Sequence, residues 1–201
     1  MKTTKQIILG SGSPRRKELL KQIGLEFEVM TSDCEEQITS NEPVKVVQEL
    51  SLQKAMSVFE RLKSQDRGRN VLVIGADTVV SLQNRILGKP TSVEQAISML
   101  NGLQGNTHQV YTSVSFVWEA ADKVCSHTFY EKTAVEVLPM SEKEISDYVS
   151  LNTCMDKAGA YGIQNEFACY VRAICGDYNN VVGLPVCRLY QELKKLSFVN
   201  I

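Results

Sequence analysis

The chain has 201 residues and carries 22 Lys+Arg against 23 Asp+Glu, a formal net charge of −1. That balance argues against a sequence-blind nucleic-acid binder, which needs excess cations to displace counterions, although a basic stripe within a neutral total stays open. With 43% hydrophobic and 22% charged residues, the composition is globular, able to bury about 70% of its unfolded surface, and no apolar run nears the ~18 residues of a membrane helix.

The elements alternate from the start. Lys5 to Leu9 reads as a short strand broken by Gly10-Ser11-Gly12, too brief an apolar run for a signal peptide. Ser13 suits an N-cap and Pro14 a first helical position, with Leu19, Leu20 and Ile23 forming a stripe that ends at Gly24. Residues 26–30 alternate as a half-buried strand. A long helix is predicted from Pro43 to Leu62, with one apolar row of Leu52, Ala55, Met56 and Phe59. A second row, Val47, Leu50 and Val58, has Lys54 in its middle. Either the lysine stem lies along the surface with its ammonium in water, or the row faces a cleft where the ammonium meets an anion.

Val71 to Ile74 is a continuous branched run, the mark of a strand buried on both faces, and it is expected to stop at Gly75-Ala76-Asp77-Thr78. After Val79 and Val80, Gln83-Asn84-Arg85 predicts a hairpin into Ile86 and Leu87. Thr91 to Glu94 is a capping box for a helix through Leu100, closed at Gly102. His108 to Trp118 alternates as a strand, with a partner from about Val124 to Leu138. Ser141 to Glu144 is a second capping box, 168–175 reads as a strand, and Pro185 opens a last helix with Leu189, Tyr190 and Leu193 inward. With no repeat or linker, this is one α/β domain over 1–201 with a mixed sheet. The six cysteines form no C-x-x-C pair and are expected to be reduced thiols in a cytoplasm.

Several residues stand out chemically. In Ser11-Gly12-Ser13-Pro14-Arg15-Arg16, a strand runs through small residues into a helix start, whose free N–H groups favour an anion. Two arginines there oppose the helix dipole, which makes sense if a phosphate occupies that end; the alternative is a plain capped turn with solvated arginines. Asp77 follows a buried strand, where open α/β sheets place ligands, and is a candidate base or metal ligand, or else a turn cap. Glu35 and Glu36, Lys89, and Asp156-Lys157 are supporting candidates. Two histidines lack metal-ligand spacing, and no nucleophile elbow supports a Ser-His-Asp triad.

Together these stretches closely resemble the Maf family of nucleoside triphosphate pyrophosphatases. The resemblance rests on S-x-S-P-R-R at 11–16, Lys54-Ala55, G-A-D-T at 75–78, L-G-K-P at 87–90, T-H-Q-V at 107–110, D-K-A-G-A-Y-G-I-Q at 156–164 and V-V-G-L-P at 181–185. It implies an elongated two-lobed fold, a central mixed, twisted sheet flanked by helices around a deep cleft, often as a homodimer. It implies hydrolysis between the α- and β-phosphates, giving monophosphate and pyrophosphate, with a divalent cation, Mg²⁺ or Mn²⁺. By resemblance, Asp77 activates water and joins Glu35 at the metal, with Glu36 as the alternative. Ser11, Ser13, Arg15, Arg16, Lys54, Lys89 and Lys157 line the substrate path. The form of the 156–164 motif resembles the dTTP/UTP subgroup, in which the positions of Arg15, Thr78 and Gln164 set base preference. Ser113 stands where the family often has glycine, with no expected effect on chemistry. Implied partners are a nucleoside triphosphate, with no nucleic acid and no membrane. The rival readings are a nucleotide-binding regulator of septum formation, which would not need Asp77, and a nucleotidyltransferase, which would need an acceptor.

Overall fold

The computed structural model describes residues 2–65 and 67–199. Its spine is a seven-stranded mixed sheet. In space the order is β2 (Glu28–Val29), β1 (Gln6–Leu9), β3 (Val71–Leu82), β5 (Thr107–Ala120), β6 (Lys123–Val137) and β7 (Val171–Cys175), with β4 (Arg85–Leu87) paired to β3. β1 runs parallel to β2 and β3, whereas β3, β5, β6 and β7 are successively antiparallel. Two tight turns join the hairpins, Gln83-Asn84 and Ala121-Asp122, all four residues at positive φ as the twist of two-residue hairpins requires.

The helices divide unequally. α1 (Pro14–Gln22), α3 (Val93–Leu103), α4 (Glu142–Ser150), α5 (Tyr178–Val182) and α6 (Val186–Lys195) contribute to one large apolar cluster with Ile7, Leu9, Leu72, Ile74 and Phe116. α2 (Pro43–Ser64) packs against the opposite face, on Ile8, Val71, Val73 and Val117. Its buried residues include Val47, Leu50 and Val58, whereas Leu52 and Met56 are only partly buried. The apolar residues of the row carrying Lys54 are therefore buried, and the Lys54 ammonium reaches Asp77, midway along β3.

α2 lies unusually close to β3. A Cβ added at Gly75 would sit 2.3 Å from the Ser51 carbonyl oxygen and 2.8 Å from the Ala55 nitrogen, so backbone meets backbone there and only glycine fits. Buried hydroxyls replace apolar packing beside this contact. Ser51 Oγ lies 3.0 Å from Ser113 Oγ and 2.8 Å from Ser115 Oγ, and Ser113 Oγ donates to the Phe129 carbonyl at 2.9 Å. Ser113 thus ties α2 to the β5–β6 pair.

Several sequence expectations shift. β3 does not stop at Gly75 but runs unbroken to Leu82, because β5 pairs with it throughout that stretch. The strand expected over 26–30 shrinks to two residues, both exposed. At α3 the N-cap is Ser92, not Thr91, and the helix continues through Gly102 to Leu103. The segment 166–170 is a 3-10 turn that delays β7 to Val171, and α5 was not anticipated. The capping box at Ser141 and Glu144 forms as its spacing predicts.

Two buried titratable groups make stability depend on pH. Burial pulls His108 down from 6.5 to about 4, so it folds neutral. Burial pushes Glu192 up, but hydrogen bonds from Lys195, Arg188 and His127 outweigh it and hold that carboxyl at about 2. The unfolded chain takes up the His108 proton first, so its contribution is lost as pH falls from 6.5 to about 4. The Glu192 contribution, present above 4.5, is lost as pH falls toward about 2. Urea midpoints followed from pH 7 downward should fall in two overlapping steps, with the upper step absent in His108→Gln. Gly75→Ala should lower unfolding free energy by about 1–3 kcal/mol. Gly88→Ala, where an added Cβ meets nothing within 4 Å, is the near-neutral comparison in the same titration.

Candidate active site

β1 pairs with β3 only as far as Ile74, and β4 joins the same edge of β3 only from Val80. Between them, residues 75–79 have no strand partner on that side among the described residues. A cleft of about 1190 Å³ opens at this gap, walled by the β1–α1 loop, α2, the loop carrying Asp156 to Asn165, and Val181 to Gly183. Asp77 and Thr78 are consecutive strand residues, so their side chains leave opposite faces of the sheet. Because the cleft cuts the edge, both border it.

On the α2 face, Lys54 Nζ lies 2.5 Å from Asp77 Oδ1 and 2.9 Å from Glu36 Oε1. Burial acts to lower the Lys54 pKa, but Asp77 and Glu36 together raise it above its ordinary value, so the ammonium stays charged. Leu50 and Val46, one and two turns earlier on α2, line the cleft beside it. Of the two readings of Lys54, the structure favours the one in which the ammonium enters a cleft and meets anions, although of its row only Leu50 lines that cleft and Val47 and Val58 are buried in the core. Glu36, not Glu35, reaches this cluster; Glu35 is exposed and is not among the lining residues.

On the other face, Arg16 is committed to the protein. Its Nε donates to the Gly183 carbonyl at 2.8 Å, Nη1 to Ser11 Oγ at 3.1 Å and Nη2 to Thr78 Oγ1 at 3.0 Å. Burial lowers its pKa, a trend that Asp77 opposes. Arg15 instead reaches across to Asp156, Nη1 to Oδ2 at 3.0 Å, and Lys157 Nζ holds the other oxygen of Asp156 at 2.5 Å while also donating to the Thr153 carbonyl. Ser13 occupies the N-cap position of α1, but its side chain makes no capping bond, and it lines the cleft with Ser11. Lys89 and Gln164 line it too, and neither has a hydrogen-bond or ion-pair partner among the described residues. Gly159, at φ 70, lets the loop bearing Lys157 and Gln164 approach Val80, where a Cβ would come within 3.0 Å of that side chain.

The structure thus brings Ser11, Ser13, Arg15, Arg16, Lys54, Asp77, Thr78, Lys89, Lys157 and Gln164 into one cleft, and leaves out Glu35. Sequence reasoning gave Asp156 no role of its own and overlooked Thr112 and Tyr161. Tyr161 lines the cleft with its hydroxyl 2.7 Å from His108 Nε2, and burial raises its pKa. The T-H-Q-V stretch was the available signal for His108, but nothing in it pointed to a partner 53 residues away.

Electrostatically the cleft is closer to balance than its cations imply. Arg15, Arg16, Lys54, Lys89 and Lys157 line it together with Glu18, Glu36, Asp77 and Asp156. Lys54, Arg15 and Lys157 are each already paired with an acid. The Asp156 pairs are partly exposed and worth little in water, so a polyanion can exchange with Asp156 at small cost. Two carboxylates, Asp77 and Glu36, share the Lys54 ammonium and would offer a metal their remaining oxygens beside it. That hard-oxygen set fits a Mg²⁺-type ion, which takes one or two carboxylates and completes its shell from phosphates and water. Among the described residues no group of three or more His, Cys, Asp or Glu could hold a metal alone, so such a site would need the substrate to complete it.

The Maf-like protein family model matches residues 6–196. The chain is 54% identical to a dTTP/UTP pyrophosphatase of Agathobacter rectalis, over 96% of this chain and 98% of the relative. It is 45% identical to one of Lachnoclostridium phytofermentans, over 96% and 95%, and 46% identical to one of Bacillus thuringiensis subsp. konkukian, over 96% of each.

Arg16→Lys tests the site's internal scaffolding. One ammonium cannot reproduce three bonds aimed at Ser11, Thr78 and Gly183, and a loss of about 1–3 kcal/mol is expected in urea unfolding. An unchanged midpoint would mean that these bonds carry no net stability.

Proposed function

The chain belongs to the Maf-like family, and on that premise we propose that it hydrolyses dTTP and UTP between the α- and β-phosphates, releasing the monophosphate and pyrophosphate. The observation that carries this reading is the meeting of Asp77, Lys54 and Glu36 at the unpaired edge of β3, opposite Arg15 and Lys157. A nucleotide-binding regulator would need the cations but not a carboxylate held among them. The chemistry calls for both.

In this mechanism the triphosphate takes the place of Asp156 on Arg15 and Lys157, and Lys89 adds a cation with no partner to give up. Ser11 and Ser13 offer hydroxyls at the N-terminus of α1. Asp77, its carboxylate fixed by Lys54, orients a water in line with the α-phosphorus and accepts one of its protons. The water oxygen bonds to that phosphorus as the bond to the bridging oxygen breaks, and pyrophosphate leaves with the electron pair. Asp77 and Glu36 are the residues that would hold a divalent cation. When bound, that cation supplies charge neutralisation to the triphosphate, the main requirement of phosphoryl transfer. Catalysis here is mostly positioning and electrostatics. No described helix is long and apolar enough to cross a membrane, and the six unpaired cysteines suit a reducing cytoplasm, where we place the protein. The homodimer common in the family remains the expected assembly.

Pyrophosphate release from a panel of triphosphates with Mg²⁺ or Mn²⁺ tests the activity, and a background-level panel would contradict it. Asp77→Asn should retain nucleotide yet lose about 10²–10⁴-fold in turnover. Glu36→Gln should shift the metal dependence to higher concentration, whereas Glu35→Gln should resemble wild type. The reverse order would return the metal role to Glu35.

A further inference from the structure

Behind Thr78 lies a buried hydroxyl, that of Thr112, whose proton can be placed by counting. Thr112 is fully buried on β5, directly across from Thr78 in the ladder. Its Oγ1 lies 2.9 Å from the Asn180 carbonyl oxygen, which can only accept, so the single Thr112 proton is spent there. Thr112 Oγ1 also lies 2.9 Å from Thr78 Oγ1. With the Thr112 proton already placed, Thr78 must donate its own proton to Thr112. Arg16 Nη2, which can only donate, takes one of the two Thr78 lone pairs at 3.0 Å. What Thr78 has left for a ligand in the cleft is one lone pair and no proton.

We propose that Thr112 is a positioning residue for substrate choice: by taking the Thr78 proton, it makes Thr78 an obligate acceptor, so that the cleft selects a pyrimidine offering an N–H at ring position 3. Uracil and thymine carry that N3–H, whereas cytosine has a bare acceptor nitrogen there and would face lone pair against lone pair. The neighbours hold this polarity in place. The Asn180 amide donates to the Val110 carbonyl at 3.1 Å and to Thr133 Oγ1 at 2.9 Å, so the carbonyl that receives the Thr112 proton sits on a pinned residue. Asp77 and Thr78 face opposite sides of the sheet edge, which leaves Thr78 to a part of the nucleotide other than the reacting phosphate. The inference rests on the pyrophosphatase reading and adds to it Thr112, the group that fixes the hydrogen-bond polarity of Thr78.

The test is kcat/KM for UTP and CTP, by pyrophosphate release, in wild type, Thr112→Ser and Thr112→Val. Wild type should prefer UTP. Thr112→Val frees the Thr78 proton to turn toward a ligand acceptor, so the UTP:CTP ratio should fall about tenfold, the worth of one hydrogen bond. The fall should come from a gain on CTP, which a loosened fold does not produce. Thr112→Ser keeps the hydroxyl and should restore the ratio. If the valine variant does not fold, Thr112→Cys, whose thiol is a weak acceptor, should show the same change in smaller measure. Equal use of UTP and CTP by wild type would overturn the proposal. So would a parallel loss on both substrates in the variants, which would assign Thr78 to a sugar hydroxyl or to packing. No release from any triphosphate would instead overturn the parent reading and this one with it.

Discussion

The contact on which the site depends is the meeting of two backbones at Gly75. α2 presses onto β3 so closely that the Ser51 carbonyl and the Ala55 amide occupy the space of a side chain. That approach brings Lys54, the residue before Ala55, level with Asp77, two residues beyond Gly75. Had α2 stood a side chain's width further from the sheet, a lysine in the middle of an apolar row would reach only solvent. The small residues along this seam, Ser51, Ala55, Gly75, Ser113 and Ser115, therefore have one structural purpose. Their hydroxyls are bonded to one another or to carbonyls, so the tight seam leaves no polar group stranded.

A second constraint is the incomplete edge of β3. β1 ends at Leu9 and β4 begins at Arg85, and the interval between their pairings exposes Asp77 on one face and Thr78 on the other. The two faces then take different work. The α2 face gathers carboxylates around an ammonium, a setting for a phosphate and a hard cation. The opposite face gathers neutral hydroxyls oriented by Arg16, a setting for reading hydrogen-bond polarity. Pairing of Arg15 and Lys157 to Asp156 keeps the cleft near neutrality until a polyanion arrives, which fits a chain whose total charge is −1.

Much of this was legible in the sequence, and the failures share a cause. Capping chemistry is local, so Ser141, Glu144 and Pro14 marked their helices correctly, and the branched run at 71–74 marked a buried strand. Long-range pairing is not local. Nothing near Gly75 says that β5 will hold the strand together as far as Leu82, so a glycine there read as a stop. The α/β class followed from alternation, and the cleft residues followed from motifs known from a family, not from spacing alone. Asp156 stood only as a supporting candidate without a role of its own, because its partner Arg15 lies far away in sequence. Thr112 read as one more β-branched residue on an alternating strand. Its proton acquires meaning only when Asn180, 68 residues later, offers a carbonyl to receive it. Glu35 and Glu36 are adjacent acids in a loop without secondary structure, and no periodicity distinguishes which of them turns inward.

The central claim is that Asp77 directs water at the α-phosphorus. Hydrolysis of UTP in ¹⁸O-labelled water, with the products separated and weighed by mass spectrometry, tests it most directly. One ¹⁸O is expected in the uridine monophosphate, none in the pyrophosphate, with loss of the labelled product in Asp77→Asn. Label in the pyrophosphate, or label in the monophosphate at an undiminished rate in Asp77→Asn, would contradict it.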